Sequence, residues 1–221
     1  MQSNFIFDPV KHVYTLDGKP LTGVTTVLRV ISKGDGLLQW AVNLAVEAMQ
    51  AGKEPQDAKV AWKTKRDTAG TKGTDLHSEV ESFVKACIHL DNGNPTAGCH
   101  ESVAPFKEWA QSEKIRFTAS EQRVFSRDLW LAGTYDLLLE KDGKKFIADV
   151  KTSKAIYPSY FYQMAAYRLM LEGMGVKDIE GAIVIRLNGG VETQYRYDYD
   201  TDKDAFLGAL AIYRANATYG V

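Results

Sequence analysis

The sequence predicts an α/β chain of the α+β kind: a central mixed sheet of about five strands flanked by helices, with an N-terminal helical extension. Two observations carry that expectation. Apolar residues recur at helical spacing from Thr22 to residue 112, at a spacing of two from Ile115 to Lys151, and at helical spacing again from Pro158 to Gly173. In the middle stretch, Asp142-Gly143 joins two apolar runs, which marks a hairpin because a two-residue type I′ turn needs positive φ at both central positions. The resulting order is helices, three strands, helix, two strands, helix.

Residues 5–7 (FIF) and 11–16 (KHVYTL) are short β-like runs, and Asp17-Gly18 supplies a turn between strands. From Thr22, a cap candidate, TGVTTVLRVIS reads as helical. GLLQWAVNLAVEAMQ places Leu37, Trp40, Ala41, Leu44 and Ala48 on one stripe. Breaks at 33–36 and 52–55 bound these scaffold helices.

Residues 59–72, KVAWKTKRDTAGTK, set Lys59, Lys63, Lys65, Arg66 and Lys72 against the single acid Asp67, with Trp62 among them. Cations beside an aromatic suit a phosphate backbone and an unstacked base. A solvated helix face with Trp62 turned into the core has the same composition. A further helix is expected after Gly73, with Thr74 as N-cap and Leu76, Val80, Phe83, Val84 and Cys87 buried. His77 and Glu81 lie four apart and share a face, where the imidazole is either a hydrogen-bonded core group or a ligand. Residues 91–100 form a turn-rich loop. The set Cys87, His89, Cys99 and His100 has the spacing of no common zinc module. A helix from about Glu101 to Ser112 buries Val103, Phe106, Trp109 and Ala110.

Three strands follow: RFTASEQRVF, which contains Glu121, then LWLAGTYDLLLE and KKFIADVK. With Asp142 and Gly143 as the loop, Lys141 faces Lys144, Leu139 faces Phe146, Leu137 faces Ala148, and Asp136 faces Asp149. Opposed residues project to one face, and Lys151 shares it by alternation. Two adjacent carboxylates repel by about 1 kcal/mol in water at ~4 Å and by more in a dry site. A divalent cation with oxygen ligands accounts for such a pair; a bulge that shifts the register, or neutralising lysines, accounts for it equally. Asp-x-Lys occurs at Asp17, Asp57, Asp142 and Asp149, and only the last ends an apolar strand opposite another aspartate. A helix opens near Pro158 and closes at Gly173, with Gln163 and Tyr167 on one face. Strands IEGAIVIRL and VETQYRYDY flank an Asn188-Gly189-Gly190 turn, and DKDAFLGALAIYRANA closes the chain as a helix.

At 221 residues, 45% apolar and 25% charged, one domain is expected. Net charge is −1 with pI near 6.4, so a basic coat is excluded while a local basic groove is not. The sequence has no apolar run near the ~20 residues that span a membrane, and MQSNFIFDPV lacks signal-peptide character, so a cytoplasmic protein is expected. Cys87 and Cys99 are read as thiols rather than a disulfide. There is no GxxxxGK[ST] phosphate loop and no GxSxG elbow.

Five elements therefore stand in one order: His77 on a helix, Glu121 on a strand, Asp136 in Gly-Thr-Tyr-Asp, Asp149-Val-Lys151, and Gln163-x-x-x-Tyr167. That order resembles the RecB-type exonuclease branch of the PD-(D/E)xK nuclease superfamily, which includes the mitochondrial genome maintenance exonuclease and CRISPR-associated RecB-like nucleases. The match covers residues 70–175. The resemblance implies a restriction-endonuclease-like core over residues 71–200, preceded by the β element and helices of 1–70 and followed by a helix over 201–221. It implies Mg²⁺ or Mn²⁺ held by His77, Asp136, Asp149 and the Val150 carbonyl, with Lys151 as catalytic lysine and Glu121 as an accessory acid. Gln163 and Tyr167 would shape the site and contact the substrate strand; apart from the resemblance, the basic run makes Lys63, Lys65, Arg66 and Lys72 the candidates to grip DNA. The implied partner is DNA, as single strands or duplex ends, with a homo-oligomer or a recombination or replication protein left open. Many relatives carry four cysteines for an iron–sulfur cluster; with two here, none is expected. A catalytically inactive nucleic-acid- or protein-binding module and a structure-selective or restriction-type endonuclease are the alternatives to an exonuclease.

Overall fold

The computed structural model describes residues 4–31, 35–93 and 101–220, apart from the side chains of Ala69 and Lys72. The chain forms two compact units, one made of Met1–Val30 with Glu79–Val221, the other of Ile31–Ser78. In chain order the elements are β1 (Phe5–Asp8), β2 (Val13–Leu16), β3 (Lys19–Pro20), β4 (Thr22–Gly23), α1 (Val24–Val27), α2 (Asp35–Gln50), α3 (Pro55–Ala58) and α4 (Ala61–His89). Then come α5 (Ala104–Ser112), β5 (Arg116–Ser126), β6 (Leu131–Lys141), β7 (Lys144–Lys151), α6 (Pro158–Gly173), β8 (Ile179–Leu187), β9 (Val191–Arg196) and α7 (Tyr199–Tyr219). No helix among the described residues is long and apolar enough to cross a membrane.

The larger unit is α+β. Its principal sheet has six strands in the order β4-β6-β7-β8-β9, with β5 on the remaining edge of β6. Pairing is mixed: β4 with β6 and β7 with β8 run parallel, whereas β5/β6, β6/β7 and β8/β9 are antiparallel. The sixth strand beyond the expected five is the two-residue β4, too short to leave a periodic signal. Parallel pairing with β8 places β7 inside the sheet, so Phe146, Ile147, Ala148, Asp149 and Val150 are all buried. Helix α6 packs on β5 through β8 and on α7, burying Phe161, Met164, Tyr167 and Met170. Pro158 stands in its first turn, where a missing N–H costs nothing.

A second sheet, β1-β2-β3, carries an aromatic cluster in which Tyr14, Leu16, Leu21 and Ala132 are buried beneath Phe5, Phe7, Phe125 and Trp130. This clamps the N-terminal strands onto the start of β6. Thr22 is not a helix cap: it pairs with Leu131 as part of β4, and Gly23 precedes the single turn of α1.

In the smaller unit the expected α2 stripe is half-buried at Trp40, Ala41 and Leu44 and buried at Ala48, whereas Leu37 is exposed. Thr74 does not cap a helix. α4 runs unbroken through Gly70 and Gly73, and the Thr74 hydroxyl donates to the Gly70 carbonyl at 3.1 Å. A helical glycine costs about 1 kcal/mol relative to alanine, too little to stop a helix whose later turns bury Val80, Phe83, Val84 and Cys87.

Candidate metal centre and its lysine

Asp142 and Gly143 both have positive φ, 52° and 74°, as a type I′ turn requires. They set the β6–β7 register read from the sequence, from Lys141↔Lys144 through Leu139↔Phe146 to Leu137↔Ala148. There the ladder ends, one rung before Asp136 and Asp149. Beyond it β7 continues against β8, with Asp149↔Val184, Val150↔Ile185 and Lys151↔Arg186. On the edge that faced β7, the start of β6 is taken instead by β4, at Leu131 and Ala132. The segment Gly133–Asp136 thus lies in a fork where two strands separate. Asp136 spans that fork: its Oδ2 accepts the Val150 N–H at 2.8 Å.

On the other edge of β6, Ser120 pairs with Leu137 and Gln122 with Tyr135, so Glu121 falls at the level of Asp136. Glu121 has φ 50°, a left-handed conformation that costs a non-glycine residue of order 1–3 kcal/mol and that clusters at functional sites. A carboxylate oxygen of Glu121 and one of Asp136 lie within 4.8 Å. Asp149 is 1% exposed, and Lys151 Nζ sits 2.6 Å from its Oδ2. Glu121, Asp136 and Asp149, from three consecutive strands, and Lys151 therefore form one cluster.

Its electrostatics are those of crowded acids out of water. Burial, then the charges of Asp136 and Glu81, push Glu121 up to about 7, with Lys85 opposing and Asp149 adding. Burial also raises Asp136, against the Lys151 ammonium and the Val150 amide. Burial pushes Lys151 down, but the Asp149 and Asp136 carboxylates outweigh it, and its pKa is raised. Lys151 is thus an ammonium here, which suits holding an anion rather than taking a proton. Its Nζ also lies 5.0 Å from the centroid of Tyr160.

No family model matches the chain. No curated protein matches it either. A solved structure described as "Crystal structure of SSO0001" is similar over 50% of this chain and 56% of its own, at 11% identity and a TM-score of 0.31. This chain thus spans little more than half of that structure's length.

Tyr167 is 3% exposed and has no surface to offer a polymer, so the expected substrate contact is replaced by a structural one. Its ring stacks directly on Gly133, and its hydroxyl accepts from Gln163 Nε2 at 3.1 Å. Burial raises its pKa, with the nearby Asp149 and Asp136 charges adding. Gln163 itself is half-buried. Thr134, next to Gly133, shares a 2.8 Å hydrogen bond with the Tyr14 hydroxyl, so the N-terminal sheet also steadies the strand that carries Asp136.

The remaining expected site residues belong to the smaller unit. His77 lies on α4 one turn before Glu81. Lys63, Lys65 and Arg66 are exposed on the same helix, and the Lys72 side chain lies outside the described residues. Trp62 is half-buried and flanked by Lys63 and Arg66 at 5.8 and 5.1 Å from its ring, so it faces its own cations rather than a closed core. Of the zinc-type set, Cys99 and His100 lie outside the described residues, and Cys87 is buried. Tyr160 beside Lys151 and the Tyr14–Thr134 bond leave no local signal in the sequence. The glycine of Gly-Thr-Tyr-Asp inside an apolar strand was the available signal for close packing.

Proposed function

We propose that the chain is a Mg²⁺- or Mn²⁺-dependent DNA nuclease, an exonuclease that hydrolyses phosphodiesters at ends or in single strands. The observation that carries this reading is the cluster of Glu121, Asp136 and Asp149 at the fork between β6 and β7, with Lys151 held on Asp149. The donors fit such an ion: they are hard carboxylate oxygens, burial raises both Glu121 and Asp136, and the Asp136 charge raises Glu121 further, a penalty that a bound cation offsets. Asp136 and Asp149 would hold the ion, with Glu121 as an accessory acid. The resemblance adds the Val150 carbonyl and His77 as ligands. Such an ion supplies Lewis acidity toward a phosphate and makes water a better nucleophile.

The protein's own groups complete the chemistry. The Lys151 ammonium pairs with a non-bridging phosphate oxygen and offsets charge that grows during attack. Asp149 fixes that ammonium from one side and the Tyr160 ring from another. The Val150 amide holds the Asp136 carboxylate in one orientation, and Tyr167 against Gly133 keeps the fork at fixed width. Lys63, Lys65 and Arg66 attract the phosphate backbone. By resemblance, the products carry 5′-phosphate and 3′-hydroxyl ends.

The test is digestion of 5′- and 3′-labelled linear, single-stranded and closed circular DNA with Mg²⁺, Mn²⁺ or EDTA. Linear substrates are degraded only with metal, circles persist, and Asp149→Ala and Lys151→Ala each abolish activity. Activity that survives in both variants rejects the assignment. DNA binding without cleavage in the wild type favours a binding module, and cutting of circles favours an endonuclease.

A further inference from the structure

Beside Lys151 the chain places two tyrosines whose arrangement the metal chemistry does not require. Tyr160, half-buried in the first turn of α6, holds the Lys151 ammonium against its ring. Tyr157 meets Tyr160 edge-on, with centroids 5.6 Å apart and planes at 85°, and remains 49% exposed. Tyr157 is also the N-cap of α6, a position that favours Ser, Thr, Asp or Asn, and its side chain makes no capping bond. Helix formation therefore does not explain it. The loop that presents it is braced: Arg186 Nη1 lies 3.5 and 3.4 Å from the carbonyls of Ser153 and Lys154, and the Ser153 hydroxyl donates to the Ala155 carbonyl at 2.7 Å. Lys154 on that loop is exposed.

We infer that Tyr157 is a stacking platform for an unpaired base, set by Tyr160 one short step from Lys151, so that a single strand is preferred over a duplex end. This rests on the nuclease reading above. The Lys151 ammonium takes a phosphate, and the ring beyond Tyr160 meets the base attached to it or to the next nucleotide. A paired base inside a duplex has both faces covered by its neighbours, so only an unstacked base can lie on the ring. Stacking of this kind tolerates any base, giving strand selectivity without sequence selectivity.

The full chain is assayed with Mn²⁺ on labelled single strands, blunt duplexes, and single strands carrying one abasic residue stepped along the end. Tyr157→Ala lowers kcat/KM on single strands by roughly 5- to 150-fold, mainly through KM, leaves the duplex rate unchanged, and Tyr157→Phe restores wild-type behaviour. One abasic position reproduces the loss in the wild type, and Tyr157→Ala then adds nothing further. A Tyr157→Ala variant that cuts single strands like the wild type, or that loses equally on both substrates, overturns the platform while leaving the nuclease reading intact. A wild type that cuts no substrate with either metal overturns the nuclease reading. Anisotropy with labelled single strands in EDTA then still tests the platform, supported by weaker binding of Tyr157→Ala and overturned by equal binding.

Discussion

Gly133→Ala tests whether the fork is held open by packing. A Cβ at Gly133 would overlap Cε1 of Tyr167 and come within 3.2 Å of Cζ and 3.3 Å of the hydroxyl. The ring cannot swing aside, because it is 3% exposed, belongs to the buried face of α6 and is tied to Gln163. Overpacking of this kind costs about 1–3 kcal/mol, and a rigid aromatic puts the cost at the upper end. The smaller unfolded-state entropy of alanine returns about 0.4–1 kcal/mol, leaving a net loss of roughly 2 kcal/mol. Tyr167→Leu alone also destabilises, by about 2–4 kcal/mol, through lost ring contacts. In the double variant the methyl finds space, so its loss falls short of the additive value by at least about 1 kcal/mol. Urea denaturation followed by circular dichroism gives each midpoint at constant m. Additivity within about 0.5 kcal/mol, or a Gly133→Ala variant as stable as the wild type, would falsify the contact.

Four more outcomes rest on particular contacts. In the metal-free protein, the raised Glu121 pKa means that the folded state binds more protons than the unfolded state between 4.5 and about 7, so stability falls as pH rises through that window and then levels off. The gap corresponds to about 3 kcal/mol for a group wholly out of water and to roughly 1–2 kcal/mol for this half-buried side chain after solvent screening; Glu121→Gln should flatten the profile in EDTA, and an unchanged slope counts against the raised value. Saturating Mn²⁺ should raise the melting temperature, by about 2.7 kcal/mol of stability at a hundredfold excess over Kd, in the wild type and not in Asp136→Asn; equal shifts in both place the ion elsewhere. Arg196 grips Asp202 through two bonds of 2.9 and 3.2 Å, and Asp202 is 4% exposed, so Arg196→Leu strands a buried carboxylate and should cost roughly 2–4 kcal/mol, checked by denaturation. Tyr14→Phe removes only the bond to Thr134 and should cost about 1 kcal/mol; a larger loss would mean that the N-terminal sheet depends on it.

What could be read directly from the residues was local. Asp142-Gly143 needs two positive φ values, and that chemistry alone set the pairing of Leu139 with Phe146 and Leu137 with Ala148. Alternation then put Asp136, Asp149 and Lys151 at one end of the hairpin, and Pro158 with Gly173 bounded α6. Local rules misjudged α4, where Gly73 with Thr74 reads as a helix start, because burial several turns away outweighs the propensity of the glycine.

The tertiary structure decided what those aspartates meet. Strand β7 keeps its parallel partner β8 through to Lys151 while its ladder with β6 stops at Leu137 and Ala148, so the rung that would join Asp136 to Asp149 opens into a fork bridged by the Val150 amide. Glu121 reaches the same place through a shift in the β5–β6 ladder between Phe117 and Ala119 and a left-handed backbone at Glu121 itself. Tyr160 reaches Lys151 only because α6 folds back across the strands. Periodicity and turn chemistry act between near neighbours and so are written in the sequence; the partners of Glu121, Gly133 and Lys151 are set by which distant surfaces pack together.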